Sequence, residues 1–275
     1  MCLQTSLQNN IVPQLLNASS RNWLIKMKTA YYTGTSGLLL PVPNKEFYPE
    51  AFKDKSRLHY YGSLFNSIEI NSSFYKMPLA ATIGKWAADV PDDFRFTFKL
   101  PKEITHNKGL DFDEEQVREF FRRISFAGEK RACVLVQFPG SIKPVFRREL
   151  EHLLGILAAA DPGHLWHTCI EFRHQSWYTQ DTYDLLAKYE MGLVLHDKLS
   201  EGGSFKEVSP EIVYVRFHGP EGDYRGSYTD EFLYEYASYI KEWLQEGKTV
   251  YTYFNNTMGN ALENLRVLRA AVEAD

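Results

Sequence analysis

The stretch CIEFRH at residues 169–174 decides the fold, because it is a short β-type run that ends in charged groups. Successive side chains of a strand point to opposite faces, so Glu171 and Arg173 share one face, with Cys169 behind them. The two apolar side chains of the run point the other way. Charged groups must pair or be solvated, so this face belongs in a polar environment.

Five other predicted strands also end in polar residues on one face. They are SIEIN (67–71), VLVQ (134–137), VLHD (194–197), VRFH (215–218) and VYTYFN (250–255). One strand that ends in a charge means little, but six that do so at the same end indicate a shared polar rim. In a barrel of parallel strands, the rim at the C-terminal strand ends is where active sites lie.

Strand-like and helix-like runs alternate along most of the chain. We count eight strands, each followed by a helix or a long connection, and this order implies parallel pairing through right-handed crossovers. The length of 275 residues is near the typical size of an eightfold barrel. The sequence therefore predicts an α/β protein with a (β/α)8 TIM barrel as a single domain over residues 27–275.

Residues 1–26 show neither strand alternation nor a clean helical stripe. They also lack the basic start and the continuous apolar run of a signal peptide. We expect an N-terminal extension that is loosely ordered and dispensable for folding. A docked helix around residues 12–16 is the alternative, and the sequence leaves open whether the extension belongs to the native protein.

The bulk properties favour a reduced, cytoplasmic protein. The three cysteines form no CxxC pair, and we expect Cys133 and Cys169 to be reduced thiols inside the barrel. No apolar run is long enough to span a membrane. The net charge of −4 gives no global basic field that would attract nucleic acid. The oligomeric state cannot be predicted from these features.

Closing the barrel assigns the strand faces, because one set of side chains fills the lumen and the other packs under the helices. Apolar residues such as Ile170 and Phe172 suit the helix side. On strand six, the placement of Asp197 in the lumen implies that Leu195 also faces inward. The polar residues predicted to share the upper lumen are Ser36, Glu69, Asn71, Lys99, Gln137, Glu171, Arg173, Asp197, Arg216, His218 and Asn255.

An ordered set of short motifs covers the chain from about residue 28 to residue 268. They are YTGTSG (32–37), FYP (47–49), IEINSSFY (68–75), FTFKLP (96–101), ITH (104–106), VQFP (136–139), IEFRHQSW (170–177), YVRFHG (214–219) and YFNN (253–256). In this order they resemble the YecE-like family, also called domain of unknown function 72. The resemblance implies a TIM barrel and no established activity, so it bears on fold and site location more than on function.

The predicted rim suits an enzyme that acts on a small anionic substrate bearing phosphate or carboxylate. Arg173, Arg216 and Lys99 are candidates to hold the anion, since guanidinium groups match such oxygens bidentately. Glu171 or Glu69 is the candidate general base, and His218 the acid or base partner. Asp197 completes the set of candidate catalytic residues. The reaction, whether hydrolysis, isomerisation or lyase chemistry, is left open.

Further residues are candidates for substrate binding. Amide side chains orient ligands through directed hydrogen bonds, and aromatic rings can cover a ring of the substrate. A loop over residues 101–110 is predicted to carry one histidine that can transfer protons. These candidates are Asn71, Gln137, Asn255, His106 and Trp177, with Tyr75 and Tyr224 as further rings.

Three other interpretations remain open. The rim charges can neutralise one another in a purely structural network. A divalent metal can bind Glu69, Glu171, Asp197 and His218, although HxH and HExxH spacings are absent and the arginines would repel a cation. Nucleic acid is a third partner class, but the two short basic clusters, at residues 121–123 and 146–148, are better explained as solvated helix faces. No motif indicates a cofactor.

Overall fold

A computed structural model describes residues 31–197, 209 and 211–274. The predicted extension over residues 1–26 lies outside these residues. The chain forms eight strands: β1 (Tyr31–Thr35), β2 (Ser67–Ile70), β3 (Arg95–Lys99), β4 (Arg131–Phe138), β5 (His167–Phe172), β6 (Gly192–His196), β7 (Ile212–Phe217) and β8 (Thr249–Phe254). Their recorded pairings are parallel, and the order around the sheet is β1-β8-β7-β6-β5-β4-β3-β2. The predicted TIM barrel is therefore confirmed.

Helices connect the strands. Within the described residues they are α1 (Arg57–Leu64), α2 (Ser72–Tyr75), α3 (Ala80–Asp89), α4 (Lys102–Thr105), α5 (Glu114–Ile124), α6 (Arg147–Ala160), α7 (Gln180–Lys188), α8 (Asp230–Gln245) and α9 (Ala261–Glu273). The N-termini of some helices are capped by hydrogen bonds to side chains. The side chain of Thr229 caps α8 by accepting from the Phe232 amide, and Asp113 caps α5 by accepting from the Glu115 amide. Among the described residues, no helix is both long and apolar enough to cross a membrane.

The barrel closes between β1 and β2 through side chains as well as backbone. Asn66 donates to the Tyr31 carbonyl and accepts from the Thr33 amide, each at 2.9 Å. The Tyr61 hydroxyl accepts from the Thr35 amide at 2.8 Å and lies 3.1 Å from the Ser67 carbonyl, to which it donates. These two side chains therefore satisfy backbone groups that a paired strand would otherwise satisfy.

A glycine makes this close approach sterically feasible. A Cβ atom placed on Gly34 would lie 2.0 Å from the Ser67 carbonyl oxygen and 2.8 Å from the Tyr61 hydroxyl. Only glycine fits at this position of β1 without displacing the neighbouring strand. We call this region, formed by Gly34, Tyr61 and Asn66, the seam of the barrel.

Strand alternation separates the core into an outer layer and a barrel interior. Apolar residues such as Ile170 and Phe172 pack in the outer layer, under the helices. Cys133 and Cys169 lie in the interior cluster together with Tyr214 and other tyrosines. Both cysteines are free and fully buried, as the sequence predicts.

The predicted register of strand six is wrong. Leu195 packs in the outer layer with Val215, whereas Val194 lies in the interior cluster beside Tyr214. The pairing of β6 with β7 agrees, because His196 is the partner of Arg216. His196 rather than Asp197 is thus the last inward residue of the strand. Asp197 follows the strand in a turn and reaches the rim from there.

Candidate functional site

Arg216, on β7, is the centre of the charged groups at the C-terminal end of the barrel. It is 1% exposed, and it donates from Nε and Nη2 to the Glu69 carboxylate at 2.8 and 2.7 Å. Its Nη1 donates to Glu171 at 2.6 Å. Both carboxylates are completely buried. One arginine therefore joins β2, β5 and β7 across the lumen.

The two carboxylates are held in their ionised form. Burial acts to raise the pKa of each carboxyl, because the charged form loses its water. For Glu69, Arg216 outweighs burial and lowers the pKa below its usual value. For Glu171, Arg173 and Arg216 together hold the pKa well below it. The same pairs raise the pKa of Arg216, against the effect of burial. Neither carboxylate is suited to accept a proton near neutral pH.

Glu69 is further held by hydroxyl groups. Ser36 and Tyr214 both donate to its carboxylate by short hydrogen bonds, and Asn71 donates to the Ser36 hydroxyl. The Oδ1 atom of Asn71 is buried and has no hydrogen-bond partner among the described residues. This oxygen can accept a hydrogen bond from a hydroxyl or amine group of a ligand.

The contacts of His218 determine its tautomer. Its Nε2 lies 2.9 Å from Arg173 Nη2 and 3.2 Å from Arg216 Nη1. A guanidinium can only donate, so Nε2 must accept and the ring proton must lie on Nδ1. Nδ1 then donates to Asp197 at 3.0 Å, and Tyr228 donates to the same carboxylate. Burial lowers the pKa of His218 to about 4, and Arg216 and Arg173 act in the same direction. His218 is therefore neutral near pH 7.

Arg173, which follows β5, lies nearer the solvent than Arg216. Its side chain is 14% exposed, and its Nε lies 2.5 Å from Glu171 Oε1. Its Nη2 is engaged by His218, as above. Its Nη1 is buried and has no hydrogen-bond partner in the part of the chain that the structure describes. A buried guanidinium nitrogen without a partner costs free energy, so Arg173 is a donor that can accommodate a ligand oxygen.

Lys99, at the end of β3, is a second incompletely engaged cation. Its Nζ donates to Gln137 Oε1 at 2.9 Å and lies 4.1 Å from the centre of the Phe74 ring. Burial lowers its pKa to about 8, and the positive charges of Arg216 and Arg173 add to this effect, while Glu171 and Glu69 oppose it. Lys99 thus exchanges a proton near neutral pH.

His106 follows the short helix α4, which occupies part of the predicted 101–110 loop. Its ring packs edge-on against Phe74, with 4.9 Å between the ring centres. His106 is an exposed residue, but partial loss of water around its ring, with Lys99 and Arg173 nearby, lowers its pKa to about 4. His106 is therefore neutral at physiological pH and lies beside Lys99.

One predicted site residue, Trp177, lies elsewhere, and a second, Asn255, has no side-chain contact with the charged network among the described residues. Trp177 is 1% exposed in the outer layer, stacks on Phe172 at 4.8 Å and donates to the Ile142 carbonyl at 2.8 Å. Its placement in the site was wrong, because the turn after β5 folds it back beneath the helices. Asn255 is half-buried after β8, and its backbone amide donates to the Phe217 carbonyl at 2.7 Å. Its side chain takes no part in the charged network within the described residues.

Three residues of the site were not predicted. Tyr214 and Tyr228 support Glu69 and Asp197, as described above. The ring of His196 lies 5.7 Å from that of His218, and its Nε2 is 3.1 Å from the Phe172 carbonyl. The correct register of β6 would have indicated His196, since it shares the inward face with Arg216.

The arrangement is not that of a metal centre. Over residues 31–197 and 211–274, no group of three or more His, Cys, Asp and Glu side chains could hold a metal ion. The oxygens of Glu69 and Glu171 face Arg216 and Arg173 instead. Arg216 lies between the two carboxylates, where a divalent cation would have to bind. It also supplies the positive charge that such a cation would otherwise provide.

Comparisons with known proteins agree with this architecture. The family model described as "Protein of unknown function DUF72" matches residues 32–275. The UPF0759 protein YunF of Bacillus subtilis is 24% identical over 247 residues, which cover 77% of this chain and 84% of that protein. The UPF0759 protein YecE of Escherichia coli is 30% identical over 123 residues, which cover 45% and 43%.

Solved structures of this family share the fold. A crystal structure of a DUF72 family protein from Enterococcus faecalis has a TM-score of 0.73 at 20% identity and covers 89% of this chain and 96% of its own. A DUF72 family protein from Thermotoga maritima has a TM-score of 0.68 at 25% identity and covers 89% and 99%. With the family model matching nearly all of the barrel, the chain belongs to the DUF72 family.

Proposed function

We propose that this protein is an enzyme that binds a small anionic substrate at the C-terminal end of its barrel, between Arg173 and Lys99. The observation that carries the proposal is the pair of incompletely satisfied cations there. Arg173 Nη1 is buried and without a partner in the described residues, and Lys99 donates to Gln137 alone. A phosphate or carboxylate oxygen would satisfy both donors and offset the repulsion between the two charges.

Lys99 is the proposed general acid–base. A catalytic group works best when its pKa lies near the working pH, and the pKa of Lys99 is about 8. The sequence-based assignment to Glu171 and His218 is less well supported. Glu171 is ionised and forms an ion pair with Arg173 through Oε1 and with Arg216 through Oε2, although only Oε2 accepts a hydrogen bond within the described residues. Both ring nitrogens of His218 are engaged. These residues hold Arg173 in place, and proton transfer by Lys99 favours isomerase or lyase chemistry.

A small ligand is better supported than nucleic acid. Of the two basic clusters, the one at residues 121–123 on α5 is neutralised on its own helix, since Arg122 pairs with Glu115 and Glu119, and Arg123 pairs with Glu119. Exposed pairs of this kind hold a helix face in solvent and leave little charge for a phosphate backbone. The free cationic donors lie instead at the mouth of the barrel.

Calorimetric titration with inorganic phosphate and with acetate tests the anion site. Charged hydrogen bonds contribute about 1.5–3 kcal/mol, so Arg173→Gln should weaken anion binding by about tenfold or more. The matched control is Arg266→Gln, because Arg266 is 70% exposed and pairs with Glu263 on α9. Thermal melts must first show that each variant is folded. Equal weakening in both variants, or no anion binding by the wild-type protein, would refute the proposal.

The pH dependence of binding tests the role of Lys99. Lys99 is a cation below about pH 8 and neutral above it, so the dissociation constant should rise above about pH 8, by at most about tenfold per pH unit, toward the value for Lys99→Met. Lys99→Met should bind the anion more weakly at pH 7 and lose this dependence. A wild-type affinity that stays constant from pH 7 to pH 9.5 would remove Lys99 from the proposed mechanism.

A further inference from the structure

We propose that the substrate carries a planar ring next to its anionic group, and that three rings beside Lys99 bind it. This inference rests on the proposed function, because the ring is placed by the anion that Arg173 and Lys99 hold. We call Phe74, Tyr75 and His106 the ring shelf. It combines two rings of α2 with the histidine that follows α4.

The ring shelf is continuous with the anion site. Phe74 lies under Lys99 Nζ at 4.1 Å, and its ring centre is 4.9 Å from that of His106 and 5.1 Å from that of Tyr75. Ser73 ties α2 to the strand that carries the lysine, because its hydroxyl donates to the Lys99 carbonyl at 2.7 Å. A ligand whose anionic group contacts Lys99 therefore brings its neighbouring atoms onto these rings.

Tyr75 is the outer end of the shelf and is 70% exposed. Exposure of so large a ring leaves one apolar face open to a stacking partner. The Lys102 ammonium lies 5.9 Å from the centre of the Tyr75 ring, so a second cation flanks the shelf. This combination of an open ring and nearby cations suits a planar ligand that also carries negative charge.

The charge state of His106 fits the same role. With a pKa of about 4, its ring is neutral at physiological pH and is aromatic surface rather than a further cation. The unpartnered Asn71 Oδ1, on the residue that precedes α2, adds an acceptor for a hydroxyl or ring amine. The shelf, the acceptor and the two cations form one surface made by β2, β3, β5 and the segments that follow them.

Two matched pairs of ligands separate the ring from the anion. The first pair is adenosine 5′-monophosphate and ribose 5-phosphate, and the second is nicotinate and acetate. Each pair shares its anionic group and differs in the ring, so the pairs also distinguish a phosphate-bearing from a carboxylate-bearing substrate. Calorimetry should show that the ring-bearing member of at least one pair binds about tenfold more tightly, as expected for one stacked ring.

Tyr75→Ala should remove this advantage while the ringless member binds as before, and Tyr75→Phe should retain it. Tyr234→Ala is the control, because Tyr234 is also a tyrosine with a largely exposed ring, 53% exposed, but lies on α8. If ring-bearing and ringless ligands bind equally in both pairs, or if Tyr234→Ala weakens ring binding as much as Tyr75→Ala, the ring inference is overturned. If the affinity for ringless anions still depends on Arg173, the proposed function stands without the ring inference. If that affinity does not depend on Arg173, both the proposed function and the ring inference fail.

Discussion

Two groups of charged residues share the C-terminal end of the barrel and differ in depth. The inner group, Arg216 with Glu69, Glu171 and His218, is fully buried, and every donor nitrogen of its arginine has a partner. The outer group, Arg173 and Lys99, is partly exposed and has donors without partners among the described residues. The inner group surrounds its one cation with two carboxylates. The outer group holds two cations, and among the described residues only Arg173 forms an ion pair, with Glu171.

This difference teaches that a charge on the inward face of a barrel strand is not by itself a ligand site. The cost of burying a charge falls sharply when it is paired, so a paired inner network adds rigidity. A cation whose buried donors are only partly satisfied costs stability, and it is retained where a bound ligand offsets that cost. The two groups should therefore respond to substitution with opposite signs.

The largest expected effect is that of removing the inner cation. Arg216→Met should lower the free energy of unfolding by about 3–5 kcal/mol, because it leaves two buried carboxylates without their shared partner. Urea denaturation followed by circular dichroism measures this change. Arg269→Met, at an arginine that is about a third exposed on α9, is the control and should change stability far less. Equal losses would contradict the division into inner and outer groups.

A second large effect should appear in acid. His218 has a pKa of about 4 when folded and about 6.5 when unfolded. Above pH 6.5 both states are neutral, and as the pH falls toward 4 only the unfolded chain binds the proton, so stability falls. The full difference for this residue is roughly 3 kcal/mol. Comparing unfolding free energies of the wild-type protein and His218→Gln from pH 7.5 to 4 should show a shallower slope in the variant.

A smaller loss of stability is expected for substitution of Ser36, which connects Glu69 of the inner group to Asn71. Ser36 donates to Glu69 and accepts from Asn71, and it is 7% exposed. Ser36→Ala should lower the unfolding free energy by about 1–2 kcal/mol, since it removes one donor from a buried carboxylate. Ser238→Ala on α8, where the serine is exposed, is the control in the same denaturation assay. A loss as large as that of Arg216→Met would mean that Ser36 governs the inner group.

The smallest expected effect has the opposite sign. The depressed pKa of Lys99 means that holding its charge in the folded state costs stability below about pH 8, and that the cost disappears as the pH rises to 10.5. Lys99→Met should therefore raise the unfolding free energy at pH 7 by about 1 kcal/mol, after allowance for the lost bond to Gln137. Destabilisation at pH 7 would place Lys99 with the inner group instead.

Much of the fold could be predicted from the sequence because its strands carry a strong period-two pattern. The predicted strand segments 169–174, 215–218 and 250–255 overlap β5, β7 and β8 in the structure. The polar residues predicted at the ends of β5 and β7 lie together, since Glu171, Arg216 and His218 belong to one network. The register of β6 was predicted wrongly because the strand is short and buried on both of its faces. Four of its five residues are buried, so hydrophobic alternation could not show which side chains point inward. Asp197 was placed at the rim for the wrong reason, since a turn brings it there.

The division between inner and outer groups could not be predicted. Arg173 and Arg216 have the same charge and the same face, and only their heights along the barrel decide which one is enclosed. Trp177 was misplaced because a turn after β5 reverses the chain, and sequence spacing does not reveal the direction of that turn. The seam could not be predicted from the sequence either. Its hydrogen bonds join the side chains of Tyr61 on α1 and Asn66 in the following loop to the backbone of β1, and no sequence pattern marks such contacts.

Glu69 belongs to the charge network and also contacts β1 directly beside the seam. Its carbonyl oxygen accepts from the Gly37 amide at 2.8 Å, it is bridged to Ser36, and its carboxylate holds Arg216. The same residue therefore helps to close the barrel between β1 and β2 and binds the central cation, Arg216. If β1 and β2 moved apart at this point, the Glu69 carboxylate would move away from Arg216. The diameter of the barrel and the electric potential at its mouth are therefore mechanically linked.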